Sequence, residues 1–274
     1  MLRFNTLLAE AGIDPADVQL VRHQDARSPR GMSPYALWRG RRDDFERYQS
    51  LQTRDVFSTP GLIAAFVVPP NGETLFAGVY VVSSVTRNAA PERCPLHGTE
   101  FAPGSINVYA LQSMEALSSL RGLLTIEWGE GARAWVQRAQ NQNKPVIELR
   151  RRFEEPPFPG PLAFRARSDA LDLLPLSWAT TLSAIGGVYL LVSDATGKQY
   201  VGSATGEEGF WSRWQAYARD GHGGNYLLRT QAAAPFWISI LETAPSSATR
   251  ADVIAAEQRW KDKLGSRAHG LNAN

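Results

Sequence analysis

An α+β fold in two domains is what this chain predicts, and three patterns predict it. Five short runs rich in Val, Ile, Leu and aromatic residues crowd between residues 62 and 150, after two helical stretches. A stretch with four prolines in nine positions, Phe153 to Pro161, then interrupts the chain. Beyond it, two strand-like runs meet at a glycine-containing turn and lead into helix, strand and helix. The expected organisation is an N-terminal α+β domain over 1–152 with a curved sheet or small barrel, a semi-rigid linker over 153–161, and a C-terminal domain over 162–274. The last is expected to hold a small three-stranded antiparallel sheet flanked by helices.

Each element has its own signal. Leu2, Phe4, Leu7, Leu8 and Ala11 recur at helical spacing, and Gly12 stops the run. VQLVR, from Val18, alternates like a strand. Ser33-Pro34 reads as an N-cap followed by proline at the first helical position, opening a helix to about Gln49 that Gly40 weakens. Its polar side carries Arg39, Arg41, Arg42 and Arg47 among Asp43, Asp44 and Glu46. That pattern suits a solvated face laced with ion pairs, with a phosphate-tracking face as the sharper alternative. LIAAFVVP, LFAGVYVVSSV, INVYALQ, GLLTIEW and PVIELR are the five strand candidates, and Pro69-Pro70-Asn71-Gly72 is a turn. Ala163 to Leu182 is expected as one or two lead-in helices. In the C-terminal domain a helix is expected over Phe210 to Ala218 and a central strand over Pro235 to Leu241. A last helix starts at Ser247 or Thr249 and ends at Gly265.

The bulk numbers narrow the function classes. With 29 basic and 27 acidic residues the net charge is +2, and from Leu162 onward eleven bases face ten acids. Neither half carries the basic field that indiscriminate polyanion binding needs, although a few Arg and Lys along one groove suffice for a nuclease. No apolar run approaches a membrane span, and MLRFNTLLAEAGID lacks the apolar core of a signal peptide. Cys94 is the single cysteine, so an internal disulfide is excluded and a reducing, cytoplasmic setting is expected. Cys94 and His97 have a two-ligand spacing with no second pair, so zinc is not expected there.

The chemistry concentrates between Gly187 and Tyr217 and in the last helix. Gly187-Val188-Tyr189 lies on the first strand of the hairpin, Asp194-Ala195-Thr196-Gly197 on its turn, and Tyr200-Val201-Gly202 on its second strand. Arg213 and Tyr217, four apart, share one helix face. On the last helix Glu257 falls within the apolar stripe of Val253, Trp260 and Leu264, where a carboxylate is costly unless paired or bound to a cation. Trp211, Trp214, Trp237 and Trp260 fit core positions better than base-stacking platforms.

At these residues the last hundred positions resemble the GIY-YIG nuclease superfamily. Gly187-Val188-Tyr189 matches its first motif and Tyr200-Val201-Gly202 its second. Ser203-Ala204 continues the second motif as in homing endonucleases of the family. Arg213 matches the helix arginine, Tyr217 the His or Tyr four residues on, Glu257 the metal-binding glutamate, and Asn272 the late asparagine. Some members carry a lysine directly after the second motif where this chain has Ser203. The resemblance implies a DNA endonuclease dependent on Mg2+, with Mn2+ as a substitute. Glu257 would be the metal ligand and Arg213 the phosphate-binding cation, and one tyrosine would take the proton of the attacking water. Tyr200 is the preferred base, with Tyr189 and Tyr217 placing water and phosphate, and a metal-bound hydroxide remains open. Asn272 would hold the chain end against the site or touch phosphate. Ser203, and His222 and Asn225 in the glycine-rich loop 221–225, are candidate nucleic-acid contacts.

On this reading the C-terminal domain cuts DNA and the N-terminal domain selects it, as in restriction or defence. A single site cuts one strand at a time, so a double-strand cut needs a homodimer or successive nicks. Two alternatives stand beside it. One is a nucleic-acid- or partner-binding protein with a decayed nuclease domain, whose mark would be loss of Arg213 or Glu257. The other is an RNA or single-strand nuclease, with Tyr80 and Tyr109 as stacking candidates.

Overall fold

Residues 1–24, 32–129, 134–206, 209–220, 226–229 and 234–273 are described by the structure, a computed structural model. The chain divides into two units, Met1–Pro156 and Pro157–Asn274.

In the first unit α1 (Phe4–Glu10) leads to β1 (Val18–His23), then α2 (Pro34–Gly40), α3 (Arg42–Ser50), β2 (Leu51–Gln52), β3 (Gly61–Val67) and β4 (Thr74–Arg87). A small β5 (Glu92–Arg93) and β6 (Glu100–Phe101) hairpin follows, then β7 (Asn107–Ser113), β8 (Leu124–Ile126), β9 (Val136–Arg138) and β10 (Val146–Leu149). The Ser33 hydroxyl accepts from the Ala36 amide, as an N-cap before Pro34 should. The single helix expected up to Gln49 is instead two, because Arg41 leaves helical geometry (φ −137°, ψ 72°) directly after Gly40. The strand candidates form β1, β3, β4, β7, β8 and β10.

These strands build an eight-stranded sheet ordered β10-β8-β4-β3-β1-β9, with β7 also along β4 and β2 on β7. β1 and β3 are parallel; the rest of the order is antiparallel. Register shifts at Ala65/Phe66 and Val82/Ser84 bend the fourteen-residue β4, as bulges do. Among the described residues β9 and β10 do not pair with each other, so the sheet is open rather than a closed barrel. Its core is centred on Phe4, Phe66 and Phe76, with ring centroids 5.2–5.6 Å apart.

Several surface expectations change here. Tyr80 and Tyr109 are buried, and the Tyr109 hydroxyl accepts from the Val56 amide at 2.9 Å, so neither is a stacking platform. On the arginine-rich face Arg39 pairs with Glu155, Arg47 pairs with Glu92, and Arg42 lies 4.6 Å over Trp38. Those arginines are engaged within their own unit. The proline-rich stretch is anchored as well. Phe153 packs on Trp38 at 5.9 Å, and Phe158 packs on Phe164 and Trp178, each at 5.8 Å.

The second unit runs β11 (Arg165–Arg167), α4 (Leu176–Ala184), β12 (Gly187–Ser193), β13 (Gln199–Ala204), α5 (Gly209–Asp220), α6 (Tyr226–Arg229), β14 (Phe236–Thr243) and α7 (Arg250–Leu264). Its sheet has four strands, ordered β11-β14-β12-β13 and antiparallel throughout, one more than expected. The extra strand falls inside the predicted lead-in helix: Arg165–Arg167 pairs with β14 before a 3-10 turn reaches α4. One sheet face packs on α5 through Trp214, stacked between Phe164 (5.3 Å) and Phe210 (5.2 Å). The other face, Val188 and Val201, packs on Ala256, Trp260 and Leu264 of α7. Thr249 and Asp252 cap α7 reciprocally, and Gly265 ends it in the left-handed region (φ 59°).

β13 is an edge strand, and the chain end closes that edge. Asn272 accepts from the Val201 amide at 2.9 Å and donates to the Val201 carbonyl at 2.8 Å, imitating a neighbouring strand. The Leu271 amide also donates a hydrogen bond to the Gln199 carbonyl at 2.8 Å. Asn272→Ala would leave two buried backbone groups unpaired. It is expected to cost the second unit about 2–3 kcal/mol, read as a lower denaturant midpoint in urea unfolding.

Candidate active site

Two glycines let the hairpin carry its tyrosines. Tyr189 and Gly202 are cross-strand partners, as are Leu191 and Tyr200, so both phenols project from one sheet face. A β-carbon on Gly202 would lie 2.5 Å from the Tyr189 hydroxyl, so the ring leans across this position and no side chain fits there. Gly187 holds φ at +143°, and a β-carbon on it would run into the Glu242 carbonyl of β14. The motif glycines are thus packing requirements.

From α5, Tyr217 completes the cluster. Its hydroxyl is 2.8 Å from that of Tyr189, and its ring lies 6.1 Å from Tyr189 and 6.3 Å from Tyr200. Arg213, one turn earlier, is exposed while its guanidinium interacts with the Tyr189 and Tyr217 phenols. Burial works against that guanidinium's charge, but the phenolic oxygens outweigh it and hold its pKa above the usual value. Burial pushes the Tyr189 phenol well up, with Tyr200 adding to the effect and Tyr217 and Arg213 only partly opposing it. Burial pushes Tyr217 up as well, reinforced by Tyr189 and Tyr200. Arg213 favours the phenolate of both, but for these two tyrosines desolvation wins.

An open cleft of about 660 Å³ runs beside the edge strand β13. Tyr200 and Ser203 line it from β13, Ser212 and Arg213 from α5, and Arg250, Ile254, Glu257, Gln258 and Lys261 from α7. Among the described residues of that lining Glu257 is the one acid, and Arg213, Arg250 and Lys261 are the bases. The Glu257 side chain, 15% exposed, is 2.7 Å from the Lys261 ammonium, and its other oxygen accepts from the Ser203 hydroxyl. A carboxylate on the inner face of α7 is expected to be paired or bound to a cation. Its observed partner is Lys261, one turn on.

The structure therefore brings Tyr200, Ser203, Arg213 and Glu257 together in one cleft, with Tyr189 and Tyr217 buried behind them. Tyr189 and Tyr217 are buried and do not line this cleft, and Asn272 spends both amide atoms on Val201. His222 and Asn225 lie outside the described residues. Arg250 and Lys261 were missed, yet the sequence held a signal for them. Positions 250, 254, 257, 258 and 261 follow the i, i+3, i+4 spacing of one helix face, and Lys261 stands at i+4 from Glu257.

Because both buried phenols titrate above their unfolded value of about 10, the stability they contribute is complete below that pH. It is lost as pH rises through their folded values. Ultraviolet difference spectroscopy on Tyr189→Phe and Tyr217→Phe is expected to show that neither phenol ionises before the second unit unfolds in alkali. Ionisation of either near pH 10 in the folded protein would contradict the burial argument.

No protein-family model matches the chain, and no curated protein sequence matches it. Among solved structures it is similar to the catalytic domain of the homing endonuclease I-TevI, at 27% identity over 32% of this chain and 98% of that domain, with a TM-score of 0.27. A mutant form of the catalytic domain of the same intron endonuclease is similar at 25% identity over 33% of this chain and 94% of that one, with a TM-score of 0.26.

Proposed function

We propose that residues 157–274 form a GIY-YIG-type endonuclease unit that hydrolyses DNA phosphodiester bonds with a divalent cation, Mg2+ or in its place Mn2+. The observation that carries this reading is convergence. Tyr200, Arg213 and Glu257 come from three separate elements, β13, α5 and α7, and line one cleft with two further basic side chains, Arg250 and Lys261.

Hydrolysis forms a bond from water oxygen to phosphorus and breaks the one to the leaving oxygen. Arg213 is placed to bind the phosphate and to neutralise the charge that develops on it, its fork suited to two phosphate oxygens. Arg250 adds a second contact at the first turn of α7. Tyr200, the phenol of the three that opens to the cleft, is placed to orient the attacking water and take its proton. Tyr189 and Tyr217 act as positioning residues: their 2.8 Å contact fixes α5, and with it Arg213, against the hairpin.

The donors suit a hard cation. Glu257, Ser203 and Tyr200 offer oxygen only, and no group of three or more His, Cys, Asp and Glu that could hold a metal occurs among the described residues. Mg2+ is held in this way, by one or two carboxylates with water and substrate oxygens completing its shell. When bound, such a cation neutralises the phosphate and acidifies a coordinated water.

Target selection is assigned to residues 1–156, because the cleft presents groups that contact phosphate rather than groups that read base edges. Restriction or defence suits that division of labour, and a double-strand cut would take two copies or two nicks. A second reading, nucleic-acid binding without catalysis, draws on the fact that both oxygens of Glu257 are already engaged. Among the described residues no helix is long and apolar enough to cross a membrane.

Supercoiled plasmid separates the two readings. The wild-type protein is expected to nick or linearise it with Mg2+ and not with chelator, and Glu257→Gln and Arg213→Ala to lower the rate by about 10²–10³. Parallel lanes of modified DNA and of RNA test selection. Binding without cutting of any of these substrates would leave the second reading standing.

A further inference from the structure

The Glu257 carboxylate is proposed as a cation ligand, yet it already has a cation. Lys261 lies 2.7 Å from one oxygen, and the Ser203 hydroxyl donates to the other. Lys261 is only 4% exposed, and a lysine is rarely so buried unless it is paired. Both residues line the cleft, so this pair occupies the candidate site itself. Glu on the N-terminal side of Lys at this spacing is also the favourable orientation on a helix.

We propose that Lys261 is a resident competitor for the divalent cation at Glu257. In the free protein its ammonium holds the carboxylate in the geometry of the site and neutralises it, so a divalent cation binds only by displacing it. The arrangement explains how an acid can be kept half-buried beside the apolar stripe of α7 without a bound ion. It also places a consequence on the substrate side. A displaced ammonium remains in a cleft lined by Arg213 and Arg250, where a phosphate is its natural partner. A phosphate that draws Lys261 away frees Glu257, so phosphate and cation raise each other's affinity by one common factor. Cation entry would then accompany substrate entry.

This inference rests on the nuclease reading for the identity of the ligand, but its test needs no cleavage. Mn2+ binding to the DNA-free protein is measured by electron paramagnetic resonance and by calorimetry. Lys261→Met, which keeps an unbranched side chain and removes the ammonium, is expected to bind Mn2+ at least about tenfold more tightly than wild type. Lys261→Arg, which keeps the charge, should stay within about twofold of wild type. Glu257→Gln should abolish the tight binding in the Lys261→Met background. Equal affinity of wild type and Lys261→Met, or no Mn2+ binding by Lys261→Met when its circular dichroism is native, overturns the proposal. Should Lys261→Met not fold, the side-chain ammonium signal of Lys261 in 15N-lysine-labelled wild type, assigned by its loss in Lys261→Arg, decides instead. Displacement predicts that it shifts on titration with Mg2+, and an unmoved signal at saturating Mg2+ overturns it. Absence of DNA cleavage alongside competitive Mn2+ binding would sink the nuclease reading and leave the competitor in place.

Discussion

The hydroxyl contact between Tyr189 and Tyr217 is the joint on which the second unit's cleft depends. It ties the central strand β12 to α5 at a point where no water reaches, and it exists because Gly202 leaves room for the Tyr189 ring. With α5 fixed, Arg213 stands one turn from Tyr217 at the open side of the same helix, and Tyr200 flanks it from the next strand. The stack of Phe164, Trp214 and Phe210 supports the joint from below, each ring pair adding about 0.5–1.5 kcal/mol beyond its area. A buried polar pair inside an aromatic cluster is favourable only while both partners remain, so geometry there is held more strictly than hydrophobic packing alone would hold it.

The edge of β13 is the second constraint. An unpaired strand edge invites another strand, and a cleft beside it needs that edge closed on one stretch and open on the next. Asn272 closes it at Val201 with a side chain that carries one donor and one acceptor. Two residues on, Ser203 is left to turn its hydroxyl to Glu257. The chain terminus and the cleft are therefore linked through a single strand. On the proposed reading, loosening Asn272 disturbs the cation ligand without touching it.

Charge is concentrated where it is used. The chain as a whole is nearly neutral, and many arginines of the first unit are consumed in ion pairs or stacked on tryptophan. Among the described residues the cleft lining, by contrast, holds three basic side chains to one acid. On the proposed reading, basic side chains gathered along one cleft of a nearly neutral protein suit a substrate gripped at one phosphate rather than along a long backbone tract.

Local pattern was enough to determine β1, β3, β4, β7, β8 and β10 in the first unit and β12, β13 and β14 in the second, the caps of α2 and α7, and the order hairpin, helix, strand, helix, because periodicity and capping act over a few residues. That Tyr200, Arg213 and Glu257 would gather was an expectation of the family resemblance rather than of local pattern, and in the structure they line one cleft. Tertiary structure alone decided the rest. The break at Arg41 and the edge strand Arg165–Arg167 are too short to leave a period, and only pairing with β14 makes the latter a strand. Burial of Tyr80, Tyr109, Tyr189 and Tyr217 depends on which sheet face a helix covers, and alternation along a strand does not name the covered face. The same holds for Glu257. Its place on the inner side of α7 was legible, but that Lys261 and Ser203 are its partners within the protein was decided by which side chains the packed helix and strand bring within 3 Å.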